Sequence, residues 1–307
     1  MIKNIQIIYT SKKRNKFFNR SLLALYNTGR RLLIAVFGLI LNFILVNYYP
    51  TEVLNTYVYF VSVFGLFYVF TNWGSKFFIT KQISNSPKDI SHLVSGSISS
   101  KLILCLLCSI IIIVLPLEIG TKLLMILFLL LRSLTPIFNG LIIYNKNSQP
   151  VFIIEMSLNV LFLVFIFFNT NSINSSSLIL YFVLLELFKS LYYFYTFWNK
   201  LSLNLSIHKG FRVLKKSIYF FSVSFAGFIA SKSDFYIVGI LIDQKTMSYY
   251  FIISSLSAIS MVIYASLINT FETSIYRFSE SVFKKYLGML YSKSFVALSV
   301  TTSGLSE

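Results

Sequence analysis

Long apolar runs alternate with short polar connections along almost the whole chain, beginning near residue 30. A helix needs about 20 largely apolar residues to cross the hydrocarbon core of a bilayer. The pattern predicts eight such spans and an incomplete ninth, which we place at 30–49, 53–73, 94–115, 119–144, 150–169, 178–198, 217–242, 247–272 and 286–302. The predicted fold class is therefore all-α, a polytopic bundle of transmembrane helices.

Composition supports this class and excludes several others. Of the 307 residues, 56% are hydrophobic and 12% are charged, whereas a soluble domain averages about 25% charged residues. Cys105 and Cys108 lie within one apolar run, and we interpret them as packing residues rather than metal ligands. His92 and His208 have no partners at metal-ligand spacing. The sequence thus predicts no catalytic residues, no metal site and no cofactor.

The basic residues predict the orientation of the chain. Residues 1–31 hold eight Lys or Arg and no acid. This arm and the loops after even-numbered spans hold twenty Lys or Arg, against two, Lys122 and Lys245, in the loops after odd-numbered spans. By the positive-inside rule, the N-terminal arm and the even loops are cytoplasmic. The net charge of +17 is then an orientation signal, and we expect no nucleic-acid partner.

A weak internal repeat predicts two lobes. An offset of 193 residues aligns 44–62 with 237–255, so that Asn55 meets Ser248 and Tyr57 meets Tyr250. A chance match in a biased composition is the alternative. A parallel repeat of this kind places a substrate cavity between two lobes. We expect four units: the basic arm 1–31, a first six-span lobe 32–199, a basic cytoplasmic loop 200–216 and a partial second lobe 217–307.

Five ionisable residues are predicted near the middle of the bilayer. They are Arg132, Glu186, Lys189, Lys232 and Asp234. One charge at the centre of an inserted helix costs about 2.5–3.5 kcal/mol, so these residues predict a polar cavity. We expect Lys101 and Glu155, nearer the cytoplasmic ends, to extend toward the interface.

In residues 217–242, helical spacing separates a polar stripe from an aromatic stripe. The polar stripe contains Ser224, Gly227, Ser231 and Asp234, and the aromatic stripe contains Phe221, Phe225 and Phe228. We expect the polar stripe to line a water-filled interior and the aromatic stripe to face lipid or neighbouring helices.

Three segments resemble a known family. They are Ser231 to Gly239, the pair Tyr249–Tyr250, and NWGSKFFITKQIS at 72–84. Together with the lobe repeat, they resemble the polysaccharide flippases of the multidrug, oligosaccharidyl-lipid and polysaccharide exporter superfamily, especially the O-antigen and capsule repeat-unit flippases. Such proteins usually have twelve or more spans. We therefore expect a two-lobed fold whose second lobe is incomplete, a C-terminally truncated form of such a protein.

The resemblance implies a multi-pass protein of the bacterial cytoplasmic (inner) membrane that is not an enzyme. It would move a polyprenyl-pyrophosphate-linked oligosaccharide from the cytoplasmic to the outer leaflet. The expected partners are this substrate, the bilayer, a coupling cation (H⁺ or Na⁺) and a polysaccharide polymerase.

Candidate roles follow for the charged residues. Arg132 lies beside a kink predicted at Pro136, and its guanidinium suits a pyrophosphate; pairing with a carboxylate elsewhere in the bundle is the alternative. Lys232 is a candidate for the anionic headgroup, and Asp234 for a lobe-closing ion pair or a cation site.

Two further pairs have open alternatives. Glu186 and Lys189, three residues apart, are candidates for ion coupling or gating, although local neutralisation that lets the sixth span insert is the favoured alternative. Arg30 and Arg31 either attract the lipid pyrophosphate or act only as an orientation signal.

Two other functions remain as alternatives. A multidrug exporter of the same superfamily would select cationic compounds and favour carboxylates, whereas the predicted mid-membrane bases outnumber the acids three to two. A membrane polysaccharide polymerase would be expected to need a large outer loop with ionisable residues. The longest outer loop predicted here, NTNSINSSS, has none.

Overall fold

The computed structural model describes residues 25–30, 32–86, 89–145, 147–170, 173–201, 204–241, 246, 248–256 and 262. The predicted ninth span, most of the eighth, residues 1–24 of the basic arm, and Arg31 lie outside the described residues. Within them every regular element is a helix, so the predicted all-α bundle is confirmed.

Besides the helical residues 248–256, the described part of the chain contains eight α-helices, which follow one another up to residue 241. Their bounds are α1 Leu25–Tyr48, α2 Thr51–Asn72, α3 Ser75–Asn85, α4 Ile90–Val114, α5 Ile119–Asn145, α6 Ser148–Phe168, α7 Ser175–Phe197 and α8 Ile207–Leu241. With α2 and α3 counted together, seven segments among the described residues are long and apolar enough to cross a membrane. They match the first seven predicted spans.

Two stretches predicted as loops are helical instead. Helix α8 begins at Ile207, so the assignment of 207–216 to a loop was wrong. Helix α3 likewise extends the second span into the predicted loop after residue 73. Hydropathy detects the part of a helix that lies in hydrocarbon, whereas these extensions are held by packing. At Gly210 in α8, an added Cβ would lie 3.1 Å from the backbone nitrogen of Ser100 in α4.

The turn between α2 and α3 packs against α8. Trp73 and Gly74 both adopt left-handed backbone conformations, with φ of 46° and 62°. The Trp73 ring stacks on Phe221, with centroids 4.0 Å apart, and its indole N–H donates to the carbonyl of Leu214 at 3.2 Å. This tryptophan therefore joins α2 to α8.

Lys101 stabilises the same turn from α4. Its side chain is buried, and its Nζ donates to the carbonyls of Thr71 and Asn72, both at 2.6 Å, and to the hydroxyl of Ser75. The last carbonyls of a helix have no intrahelical donor, and Lys101 supplies one to α2. The expectation that Lys101 extends to the interface was wrong, because these acceptors lie inside the bundle.

We expect Lys101→Met to destabilise the protein. The substitution keeps an apolar stem but leaves the buried carbonyl of Thr71 and the part-buried carbonyl of Asn72 without this donor. A buried unsatisfied group costs about 1–3 kcal/mol. Thermal unfolding of the detergent-purified chain would measure the loss. Lys122→Met is the control, because Lys122 also donates to a carbonyl, that of Ile113 at 2.8 Å, but at an exposed site. If both variants unfold at the wild-type temperature, Lys101 does not hold the turn.

The end of the bundle that holds α3 and the starts of α4 and α8 carries many Lys and Arg, and we call it the basic end.

At the opposite end, α1 and α2 pack against the last turns of α8 and against 248–256. Ser248 donates to the Asn55 side chain at 2.7 Å, and Tyr236 donates to the carbonyl of Ser62 at 2.8 Å. Asn55 and Ser248 are the pair that the repeat alignment equates.

Candidate functional site

A cavity of about 440 Å³, which we call the polar cavity, is lined by residues of α1, α3, α5, α6 and α7 and by Val262. It extends from Asn27 in the first turn of α1 to Arg132 at the middle of α5. A second cavity of about 240 Å³ adjoins it and shares Ile34, Arg132 and Lys189 with it. Six phenylalanines and one tyrosine line this aromatic pocket: Phe37, Tyr57, Phe60, Phe64, Phe128, Phe162 and Phe182.

Arg132 forms an ion pair across the boundary between the two cavities. Its Nη1 lies 3.1 and 3.0 Å from the two carboxylate oxygens of Glu186 in α7. The hydroxyl of Thr135 donates to the same carboxylate at 2.9 Å. The proposed alternative for Arg132, pairing with a carboxylate elsewhere in the bundle, is therefore present. The ion pair does not cover the whole Arg132 side chain, which remains 32% exposed, whereas the Glu186 side chain is 4% exposed.

Glu186 therefore pairs between helices, and local neutralisation by Lys189 is not its main contact. Lys189 instead donates to the amide oxygen of Asn159 in α6 at 3.3 Å. Both side chains are buried. The sequence spacing showed that Glu186 and Lys189 share a face of α7, but the crossing of α5 over α7 brings Arg132 to the carboxylate.

A second buried ion pair lies nearer the basic end. The Nε of Arg30 lies 2.5 Å from a carboxylate oxygen of Glu155 in α6. Arg30 also donates to the side chain of Asn139, and the Tyr193 hydroxyl donates to Glu155. The expectation that Glu155 extends to the interface was wrong, because it is buried among these donors.

Sequence reasoning missed Thr135, Asn139, Asn159 and Tyr193, although a signal for them was present. Within each span these residues follow a charged residue at intervals of three or four. The stripes are Arg132, Thr135 and Asn139 on α5, Glu155 and Asn159 on α6, and Glu186, Lys189 and Tyr193 on α7. Residues three and four apart lie on one helix face, so these stripes predict the inward faces of three helices.

The charge balance of the two cavities favours an anion. Among the described residues that line them, four are basic and two are acidic: Arg30, Lys76, Arg132 and Lys189 against Glu155 and Glu186. The two carboxylates are already paired with Arg132 and Arg30. An incoming anion would therefore meet a net positive, partly desolvated surface, where charge interactions are screened less than in water.

Lys232 and Asp234 lie apart from this site. Asp234 is exposed and accepts a hydrogen bond from the Tyr250 hydroxyl at 2.5 Å. Neither residue lines the polar cavity or the aromatic pocket. The aromatic stripe of α8 does face a neighbouring helix, since Phe221 and Phe225 pack against Phe70 of α2.

These features define a multi-pass membrane protein with a polar, charged cavity among its membrane-spanning helices. Intramembrane charges arranged in this way mark substrate or ion pathways. The cavity is therefore the candidate functional site.

The chain belongs to the polysaccharide biosynthesis protein family, whose family model matches residues 24–271. This is the family of the polysaccharide flippases named above, and its members are generally transporters rather than enzymes. The protein thus has a flippase or related transport role in polysaccharide synthesis. No curated protein and no solved structure matches the chain.

Proposed function

We propose that the protein translocates a polyprenyl-pyrophosphate-linked oligosaccharide repeat unit across the bacterial cytoplasmic membrane, for O-antigen or capsule synthesis. The observation that carries this proposal is the partly exposed side chain of Arg132, which lines both the polar cavity and the aromatic pocket. Guanidinium groups match the geometry of phosphate oxygens. The net positive lining and the aromatic walls suit a ligand with an anionic group beside sugar rings.

The predicted topology gives the direction of loading. The positive-inside rule places the basic end in the cytoplasm, and the polar cavity lies toward that end. At the opposite end α2 contacts 248–256 through the hydrogen bond from Ser248 to Asn55. We infer that this arrangement accepts substrate from the cytoplasmic side.

Secondary roles belong to the same proposal. Lys189 and Arg30 add positive charge to the cavity, and Glu186 is the candidate for gating or ion coupling. Lys232 and Asp234, on α8, would act on the side of the second lobe, with Asp234 already held by Tyr250. A coupling cation and a polysaccharide polymerase are the further partners proposed.

Complementation tests the proposal. We expect the chain, expressed in a bacterium that lacks its own repeat-unit flippase, to restore surface polysaccharide, with membrane abundance measured by immunoblot. Resistance of the same cells to a cationic dye should not rise, because the cavity has a positive excess.

The alternatives make opposite predictions in the same cells. Raised dye resistance without polysaccharide would favour the multidrug exporter. If the chain inserts stably, restores no polysaccharide and, once purified, binds no farnesyl pyrophosphate, the flippase proposal is wrong.

A further inference from the structure

A third cavity lies at the basic end, apart from the polar cavity, between α3, the start of α4 and the start of α8. Its volume is about 510 Å³. We call it the basic groove. Its lining combines basic and apolar side chains, chiefly Lys209, Arg212, Lys216, Phe78, Leu93 and Val213.

The three basic residues are held on a rigid helix. Lys209, Arg212 and Lys216 follow one another at intervals of three and four residues on α8, so they share one face. This part of α8 is packed against α4, where a Cβ added at Gly96 would lie 3.0 Å from the side chain of Val213. Arg212 and Lys216 are exposed, and their positions are therefore set while their charged groups stay accessible.

The net positive charge of the groove favours the binding of an anion. Across from the three basic residues lie Asp89 and His92 at the start of α4. One carboxylate does not balance three positive charges. Arg212 also contacts the ring of His208, one turn earlier in α8, at 3.1 Å, and it still lines the groove.

The position of the groove favours the binding of a lipid over that of a soluble anion. Its α4 and α8 residues, 89–96 and 209–216, border the points where the apolar runs of these helices begin, at about 94 and 217. Lipid phosphates lie at this level of a bilayer, and basic pockets between transmembrane helices suit anionic headgroups. A soluble anion would gain nothing from the apolar surface of half-buried Leu93 and Val213, whereas an acyl chain can pack against it.

We propose that the basic groove binds the phosphate headgroup of an anionic phospholipid, with an acyl chain along its apolar lining. The bound lipid would connect α3 and α4 to the first turns of α8. This site is separate from the polar cavity and takes a structural membrane lipid rather than the transported molecule.

Native mass spectrometry of the purified chain, titrated with dioleoyl phosphatidylglycerol, tests the proposal. We expect tighter binding than for dioleoyl phosphatidylcholine, whose headgroup is neutral overall. Each Lys or Arg near lipid phosphate contributes about a fivefold gain in affinity. Arg212→Gln/Lys216→Gln should therefore weaken phosphatidylglycerol binding by about thirtyfold.

The matched control is Lys200→Gln/Lys215→Gln, which removes two charges at the same end from residues that do not line the groove. We expect nearly wild-type binding. Equal losses in both double variants would show general attraction to a basic surface and overturn the groove. Displacement of the lipid by glycerol phosphate at similar concentration would instead show a soluble-anion site. Because lipid binding is measured without transport, either result leaves the proposed flippase function standing.

Discussion

The double variant Arg132→Gln/Glu186→Gln is expected to fold and reach the membrane at the wild-type level and yet to bind farnesyl pyrophosphate about 10- to 150-fold more weakly. The range corresponds to the loss of one charged hydrogen bond. Removing both members of the pair avoids leaving a buried Glu186 carboxylate unpaired, which alone destabilises by about 3–5 kcal/mol. Thermal unfolding and ligand titration of the same purified sample would measure the two effects separately.

Glu186→Gln alone is the control. It keeps Arg132 and releases it from the carboxylate 3.0 Å away, so binding should stay at the wild-type level or tighten. If the double variant binds as tightly as Glu186→Gln, Arg132 serves only to neutralise Glu186 and is not a substrate-binding residue. A binding assay is used because Glu186 is also a candidate for ion coupling, which would confuse a transport assay.

Gly74→Ala is expected to separate the α2–α3 turn from α8. An added Cβ would lie 2.4 Å from the carbonyl carbon of Phe220 and 2.6 Å from the nitrogen of Phe221. Both are backbone atoms that cannot rotate away. The positive φ of 62° adds about 1–2 kcal/mol of strain, and overpacking adds about 1–3 kcal/mol. The unfolding temperature should fall by about 5 °C or more.

Gly227→Ala on α8 is the matched control, because a Cβ there meets nothing within 4 Å. In a helix, alanine is favoured over glycine by about 1 kcal/mol, so this variant should be as stable as wild type or slightly more stable. An unfolding temperature of Gly74→Ala equal to that of wild type would contradict the close contact of the turn with α8.

The membrane spans could be predicted because their physical cause is local. The thickness of the hydrocarbon core sets the length of an apolar run, and that length is visible in the sequence around residues 94–115 or 150–169. Helix extensions outside the core have another cause. Residues 207–216 are helical because Gly210 allows α8 to approach the backbone of α4 at Ser100. The local sequence pattern around these residues does not reveal that contact.

The candidate site divides in the same way. The sequence predicted a polar surrounding for Arg132, Glu186 and Lys189, because a charge inside the membrane is energetically costly. The sequence did not predict which carboxylate pairs with Arg132, because Glu186 is 54 residues away along the chain. Arg30, left open between pyrophosphate attraction and an orientation signal, and Glu155, predicted to be interfacial, form a part-buried ion pair across 125 residues.

The sequence by itself determined that this is a helical, multi-pass membrane protein of a polysaccharide transport family with charged residues inside the bilayer. Hydrophobic length and residue type carry that information without any partner. Only the tertiary structure decided which charges neutralise one another, that Lys101 holds the end of α2, and that Lys232 and Asp234 lie apart from the polar cavity. Helix rotation and crossing decide these contacts, and both depend on packing between segments far apart in the chain.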